Sequence, residues 1–130
     1  MLVLIATDQQ LVVEVTPSGV ANVDVYASYN DIGMPNLTLP QPGVVAGNLT
    51  RAGKYELGGP PAANYIRQYK SLYLINRHPT AAVIVTFQFR RGADYYHVKK
   101  YTLAALEHCS YIEGVGFARY HADGAAVAPV

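Results

Sequence analysis

Histidine, cysteine and carboxylate side chains are the residues of this chain whose types could do acid-base, nucleophilic or metal chemistry. The four histidines are His78, His97, His108 and His121. None stands at a zinc-ligand spacing such as C-x-x-C, H-x-H or H-E-x-x-H with a ligand of another type, so the sequence predicts no metal site. His108 and Cys109 are adjacent, but neighbouring residues of a strand point to opposite faces, so the imidazole could not activate the thiol.

The carboxylates offer no obvious acid and base pair. They are predicted to stand singly on turns or on outward strand faces, at Asp8, Glu14, Asp24, Asp31, Glu56, Asp94, Glu107, Glu113 and Asp123. A glycosidase pair stays open only because a separation in space cannot be read from sequence. We therefore expect no catalytic residue, no cofactor and a protein that is not an enzyme.

Tyrosine dominates the aromatic residues, with eleven Tyr against three Phe and no Trp. A tyrosine buries its ring while its hydroxyl stays available for a partner, which suits half-wet surfaces and protein interfaces. An interaction protein is therefore favoured over a compact enzyme. Five tyrosines of the C-terminal half could stack sugar rings, anchor a subunit boundary, or in part face the core: Tyr95, Tyr96, Tyr101, Tyr111 and Tyr120.

Length, charge and cysteine content narrow the class of protein further. A chain of 130 residues is one ordinary domain that can hold a core without metal or disulfide help. A net charge of +1 with 15% charged residues gives no field that would gather nucleic acid or anionic lipid, so neither partner is expected. The apolar residues 1–6 lack a basic start and are interrupted by Asp8, which predicts a first strand rather than a signal peptide or membrane span. A single cysteine excludes an intrachain disulfide.

Apolar and polar residues alternate with a period of two along most of the chain, which is typical of strands. Leu11, Val13 and Val15 share one face of a first such segment, and residues 20–29 repeat the pattern after a turn at 16–19, so a hairpin is predicted. The clearest strand has Val83, Val85, Phe87 and Phe89 on one face. Further hairpin turns are predicted at 76–80, 91–93 and 114–116.

Residues 30–43 interrupt this pattern with three prolines and two glycines, which disfavour a central strand. A loop of this length is uncommon unless it is functional. The loop could cover the end of its own sandwich or reach a partner. Its apolar side chains are candidate protein-interface residues, together with three of the tyrosines: Ile32, Met34, Leu37, Leu39, Tyr95, Tyr111 and Tyr120.

About eight short strands, turns every 8 to 12 residues and no convincing amphipathic helix predict an all-β fold. We expect a single antiparallel β-sandwich, jelly-roll-like, over residues 1–124, with a flexible C-terminal tail at 125–130.

Four motifs across residues 10–124 resemble a group of small virion proteins of tailed bacteriophages and prophages. V-x-V-x-A-S-[YW] is present at 23–29, P-A-A-x-x-x-R-x-[VY]-K-x-L-x-[IL]-x-N at 61–76, and T-x-x-V-x-V-T at 80–86. The closing motif of the group is matched at Tyr101, Leu103, Leu106, Glu107, Tyr111, Gly114, Gly116, Phe117 and Gly124. Where such chains carry Pro-Gly before the glutamate, this one has Ala104-Ala105-Leu106-Glu107, so we expect that loop to differ in shape from the loop of the group.

The resemblance implies a structural role in a phage particle, most simply as a capsid decoration or cement protein that binds the head surface in many copies. The implied partners are the major capsid protein or other virion subunits, with self-association into a homo-oligomer such as a trimer. The implied location is the virion, assembled in the host cytoplasm. Two alternatives stay open: a tail or head-tail accessory protein, and a carbohydrate-binding module of a tail fibre.

Overall fold

The computed structural model describes residues 2–17, 19–36 and 39–127, and these residues form ten strands and no helix. The strands are β1 Val3–Leu4, β2 Gln9–Pro17, β3 Val23–Gly33, β4 Gln41–Leu49, β5 Gly53–Glu56, β6 Tyr65–Asn76, β7 Val83–Arg91, β8 Asp94–Leu103, β9 His108–Ile112 and β10 Gly116–Tyr120.

These strands build two antiparallel sheets. Sheet I has the order β10-β9-β6-β3-β4, and β1 pairs with β6 beside this path. Sheet II has the order β5-β2-β7-β8. The two sheets pack face to face over one apolar core, so the predicted antiparallel β-sandwich is confirmed.

The core forms because alternate residues of each strand point between the sheets. Leu11, Val13 and Val15 of β2 are at most 2% exposed, and Val23 and Ala27 of β3 are fully buried opposite them. Each buried valine or leucine side chain contributes about 1.5 to 3 kcal/mol when it leaves water. The larger members of the core come from four other strands: Leu4, Tyr69, Leu72, Leu74, Phe87 and Leu103.

Two predicted hairpins are wrong. β2 pairs with β5 and β7 in sheet II, whereas β3 pairs with β4 and β6 in sheet I, so the turn after β2 carries the chain between sheets. The predicted hairpin loop at 76–80 likewise joins β6 of sheet I to β7 of sheet II. In both cases the apolar faces of successive strands meet across the core instead of lying side by side.

Asn76 holds the second of these crossings in place. Its side chain is fully buried, and Nδ2 donates hydrogen bonds to the carbonyl oxygens of Ala81 at 2.8 Å and of Leu103 and Ala104 at 3.1 Å. Its Oδ1 accepts the backbone N–H of His78 at 3.1 Å. One amide therefore ties the β6–β7 crossing to the end of β8.

The predicted loop at 30–43 is shorter in the structure, because β3 continues to Gly33 and β4 begins at Gln41. Pro42 is tolerated in β4 because β4 is an edge strand that pairs with β3 alone. A Cβ atom on Gly43 would come within 2.3 Å of the Tyr29 ring, so glycine is what lets that ring lie across the edge strand.

The hairpin turns predicted at 91–93 and 114–116 are confirmed. Gly92 has a φ of 60° between β7 and β8, which suits a two-residue turn with glycine first. After β10 the chain turns back, and Val127 N donates to Arg119 O at 2.9 Å while Ala126 pairs with Tyr120. The rest of the predicted tail, 128–130, lies outside the described residues.

Candidate interaction face of sheet I

The outer face of sheet I consists of three rows of residues that are paired across β4, β3, β6, β9 and β10. The first row is Asn48, Asp24, Ile75, His108 and Tyr120. The middle row is Ala46, Tyr26, Tyr73, Ser110 and Ala118. The third row is Val44, Ser28, Ser71, Ile112 and Gly116. These positions alternate with the buried residues of the same strands, so all fifteen side-chain positions point away from the core.

Aromatic rings lie together on this face. Tyr26 and Tyr73 are cross-strand partners and are 41% and 38% exposed. The ring centroids of Tyr73 and His108 are 5.3 Å apart, and His108 stacks on Tyr120 at 5.0 Å with an interplanar angle of 15°. Ring contacts join β6, β9 and β10, and Tyr26 on β3 is the strand partner of Tyr73. We call these four side chains, Tyr26, Tyr73, His108 and Tyr120, the aromatic strip.

Small, hydroxyl and aliphatic side chains surround the strip. The hydroxyl oxygens of Ser28 and Ser71 are 2.7 Å apart, so these two side chains satisfy each other without a charge. Val44 and Ile112 are 60% and 48% exposed in the same row. A partner that covered this row would bury aliphatic surface without the cost of desolvating a charged side chain.

Charged side chains stand at the two ends of the face rather than in its middle. At one end Asp24 accepts a hydrogen bond from Asn48 Nδ2 at 2.7 Å and lies 3.6 Å from Arg77 Nη1. Beyond the other end, Lys70 Nζ lies 2.7 Å from Glu113 Oε2. An uncharged centre rich in tyrosine with a rim of paired charges is the usual anatomy of a protein interface.

The outer face of sheet II has the opposite character. Lys54 lies 3.9 Å from Glu14, and Arg90 lies 3.8 Å from Glu56. The Lys54 ammonium also sits 3.5 Å from the centre of the Tyr95 ring. Mixed, exposed charges of this kind keep a surface solvated, so the two faces of the sandwich differ in what they can bind.

The structure distributes the predicted interface residues over several surfaces. Met34 and Leu39 are 42% and 88% exposed in the connection at 34–40, and Ile32 is half-buried on β3. Leu37 lies outside the described residues. Tyr95 belongs to sheet II, and Tyr120 belongs to the aromatic strip of sheet I. The structure therefore does not bring these residues together as one patch.

Tyr111 cannot serve as an exposed anchor, which corrects its prediction as an interface residue. It is 4% exposed, its ring packs on Phe117 at 5.0 Å, and its hydroxyl accepts the Leu2 backbone N–H at 3.1 Å. The residue lies one position after Ser110 on β9, so the strand turns it into the core. The exposed tyrosines of this face are instead Tyr26 and Tyr73, which were not among the predicted site residues.

The His108-Cys109 pair behaves as the alternation predicts. Cys109 is fully buried, and burial raises the pKa of its thiol to about 12, whereas His108 lies on the outer face. A thiol with that pKa is not a nucleophile at neutral pH. Within the described residues, no three His, Cys, Asp or Glu side chains are grouped as metal ligands.

Glu107, one of the carboxylates predicted on turns or outward strand faces, lies in the turn that joins β8 to β9 and is buried, with 8% exposure. Its Oε1 accepts the Ala104 N–H and its Oε2 lies 2.9 Å from His121 Nδ1. Desolvation raises the pKa of Glu107, but the hydrogen bonds from Ala104 and His121 outweigh it and the pKa is lowered. A carboxylate held ionised between two donors fits a structural clip between the β8–β9 connection and the segment after β10.

Arg67 forms a second buried polar cluster, near the start of β6. Nε and Nη2 donate to the two carboxylate oxygens of Asp31 at 2.8 and 3.0 Å, and Nη1 donates to the carbonyl oxygen of Gly59. The guanidinium also lies 3.9 Å from the centre of the Tyr29 ring. Burial lowers the pKa of Arg67, but the hydrogen bonds and charge of Asp31 outweigh it and the pKa is raised. All three guanidinium nitrogens are engaged within the protein, so the cluster braces the fold.

A small open cavity lies at the turn between β7 and β8, with a volume of about 200 Å³. Its lining includes one carboxylate, Asp8, and one guanidinium, Arg90, together with Thr7, Gln10 and Gly92. Pockets that enclose small-molecule ligands are usually larger, at roughly 300 to 1,000 Å³, and mostly apolar. The cavity therefore does not resemble a substrate pocket.

The described part of the chain has no helix long and apolar enough to span a membrane. No protein-family model matches this chain, and comparisons with curated proteins and with solved structures find no match either.

Proposed function

We propose that this protein is a non-enzymatic structural protein of a tailed-bacteriophage particle, a capsid decoration or cement protein that binds the head surface in many copies. The observation that carries the proposal is the outer face of sheet I, with its aromatic strip, uncharged centre and paired charges at the ends. The resemblance of four sequence motifs to those of small virion proteins favours a major capsid protein or another virion subunit as the partner.

The chemistry of the face explains why a protein surface is the favoured partner. Burial of exposed tyrosine and aliphatic side chains can drive association, while a net charge of +1 contributes little long-range steering. Binding should therefore depend only weakly on salt. The tyrosines at the centre of the face, Tyr26 and Tyr73, are the residues expected to dominate the affinity.

The proposal is tested by co-sedimentation of purified protein with phage heads, and separately with tails, that lack it. Replacement of Tyr26 or Tyr73 by lysine should weaken binding to heads by at least about 30-fold, the effect of losing roughly 2 kcal/mol at a hot spot. Tyr96→Lys is the matched control, because Tyr96 is 53% exposed on β8 of sheet II. Absence of wild-type protein from both head and tail pellets, or equal binding by the face and control variants, would remove the proposal.

A carbohydrate-binding module of a tail fibre is a second candidate, favoured by the exposed rings of Tyr26 and Tyr73 on the outer face of sheet I. The face-to-face contact of His108 with Tyr120 covers ring surface that a sugar would need, which supports the protein partner instead. Glycan-array binding that is lost on Tyr26→Ala and Tyr73→Ala, without particle association, would favour the module. Sedimentation with tails alone would favour a tail or head-tail accessory protein.

A further inference from the structure

Among the described strands, the paths of the two sheets end in four edge strands, β4 and β10 in sheet I and β5 and β8 in sheet II. The two-residue β1 also pairs with one neighbour only, β6. An edge strand presents unpaired backbone N–H and C=O groups that can pair with a strand of another molecule. Proteins usually block such pairing with charges, short strands, bulges or a covering segment. The four edges of this sandwich differ in whether they carry these features.

Three edges are protected. β8 carries Asp94, Lys99 and Lys100, and its pairing with β7 shifts register between Phe87 and Gln88. β5 has four residues, two of them charged. β10 has five residues, and the chain after it folds back so that Ala126 pairs with its last residue.

β4 lacks these protections. It runs over nine residues, Gln41–Leu49, and pairs with β3 along its whole length without a register shift. Neither β4 nor the sequence around it, from 32 to 50, contains a Lys, Arg, His, Asp or Glu. Pro42 interrupts the donor row only near one end, which leaves Gly43–Leu49 as a continuous uncharged edge.

We propose that β4 pairs antiparallel with β4 of a second copy of this chain, about a two-fold axis at Ala46. This pairing would join the two copies of sheet I into one continuous sheet. Antiparallel partners must have side chains on the same face, and the register centred on Ala46 meets this condition because it places Val44 opposite Asn48, both on the outer face. The inference concerns the edge and does not depend on the proposed function of the outer face.

The residues of β4 suit a copy of themselves. In this register Val45 of one protomer lies opposite Gly47 of the other, so a branched side chain meets a position without a Cβ. Ala46 meets Ala46, and Pro42 falls outside the paired segment. A partner strand rich in charged residues would place them beside Val, Ala and Gly, where no opposite charge is available. A second copy of β4 has no charged side chain, so this cost does not arise. Two-fold pairing of identical surfaces is also the commonest way in which soluble proteins form oligomers.

The register predicts which engineered cysteines can form a disulfide between protomers. Residues directly opposite each other have Cβ atoms about 4.5 to 5.5 Å apart, close to disulfide geometry, so Ala46→Cys should cross-link to itself under mild oxidation. Val44→Cys alone should not, because its copy lies four residues away along the partner strand. A mixture of Val44→Cys and Asn48→Cys should cross-link. The native Cys109 is fully buried and does not compete.

The wild-type protein is examined first by native mass spectrometry and sedimentation at up to about 100 µM, where a Kd in the micromolar range would populate a dimer. A dimer, with at least about tenfold more cross-linking of Ala46→Cys than of Val44→Cys, supports the proposal. A monomer throughout, a trimer, or equal cross-linking of these two variants would overturn it. Pairing through β4 is measured by the mass of the oligomer, whereas the proposed function of the outer face is measured by binding to phage particles. Either proposal can therefore fail without the other.

Discussion

Replacement of Arg67 by methionine should destabilise the sandwich more than any other single charge removal in the described part of the chain. Arg67 is 6% exposed and holds both oxygens of Asp31, the carbonyl of Gly59 and the face of the Tyr29 ring. Methionine fills a similar length but leaves the Asp31 carboxylate and the Gly59 carbonyl without their partner. The unpaired carboxylate is the main source of the expected loss.

The size of the loss follows from the burial of the pair. Breaking a buried ion pair by removing one partner costs about 3 to 5 kcal/mol. The Asp31 side chain keeps 21% of its exposure, so water can partly solvate it and about 3 kcal/mol, the lower end of that range, is expected. With an unfolding entropy near 2.1 cal/mol/K per residue, this loss lowers Tm by roughly 11 °C in a chain of this length.

Urea unfolding followed by circular dichroism measures the change, and Arg77→Met supplies the matched control. Arg77 pairs with Asp24 at 3.6 Å, but its side chain is 57% exposed, so its loss should cost under about 0.5 kcal/mol. Asp31→Asn combined with Arg67→Met should cost at least about 1 kcal/mol less than the sum of the single variants, because no charge is then left alone. A loss below 1 kcal/mol for Arg67→Met, or strict additivity, would refute this reasoning.

Two further substitutions test other buried polar groups. Asn76→Asp should cost more unfolding free energy than Asn76→Ala, by about 1 kcal/mol or more, because a carboxylate would face three carbonyl oxygens; equal losses in urea unfolding would contradict the donor role of the amide. Glu107→Gln should lower the free energy of unfolding mainly above pH 4.5, the ordinary pKa of a glutamate. The pKa of Glu107 is lowered in the folded state, so the stability that its ionised carboxylate contributes is lost as the pH falls through the folded-state pKa. Unfolding curves from about pH 7 down to about pH 3 measure the difference, and a gap that stays constant over this range would count against the ionised clip.

The sequence identifies which side of each strand is buried more readily than it identifies the neighbouring strand. Alternation alone places Val13 and Val25 in the core, because the side-chain period of a strand is two residues. The same alternation is compatible with pairing of β2 and β3 as a hairpin or with their packing across the core. The choice between the two depends on how all ten strands close around one interior, which a local pattern does not contain.

Residues that disfavour a strand, such as proline and glycine, also mislead a prediction from sequence when their position in the sheet makes them acceptable. The prolines and glycines of 30–43 predict a loop, yet Pro42 and Gly43 belong to β4 because an edge strand needs only one row of hydrogen bonds. The same reasoning applies to Glu107, whose carboxylate is hydrogen-bonded to His121, a residue fourteen positions away that reaches it only when β10 is in place.

The candidate face was only partly predictable. The alternation of β3 sets Tyr26 opposite the core residues, and Leu72 and Leu74 imply that Tyr73 points outward. The pairing of β3 with β6, which makes Tyr26 and Tyr73 neighbours, was not readable from either strand. A shift of one residue along a strand moves a side chain from one face of the sheet to the other. The sequence around Tyr111 and Tyr120 did not show that Tyr111 faces the core on β9 whereas Tyr120 faces outward on β10.

The order in which the strands enter the two sheets has a consequence for how this chain is made. Six of the nine links between successive strands of the described chain cross from one sheet to the other, and the central strand β6 takes its neighbours from β3 and β9. The chain must therefore leave the ribosome as far as β9 before the interior can close. Folding should be slow for a domain of this size, in roughly milliseconds to seconds, and the incomplete chain should expose apolar side chains until β9 emerges.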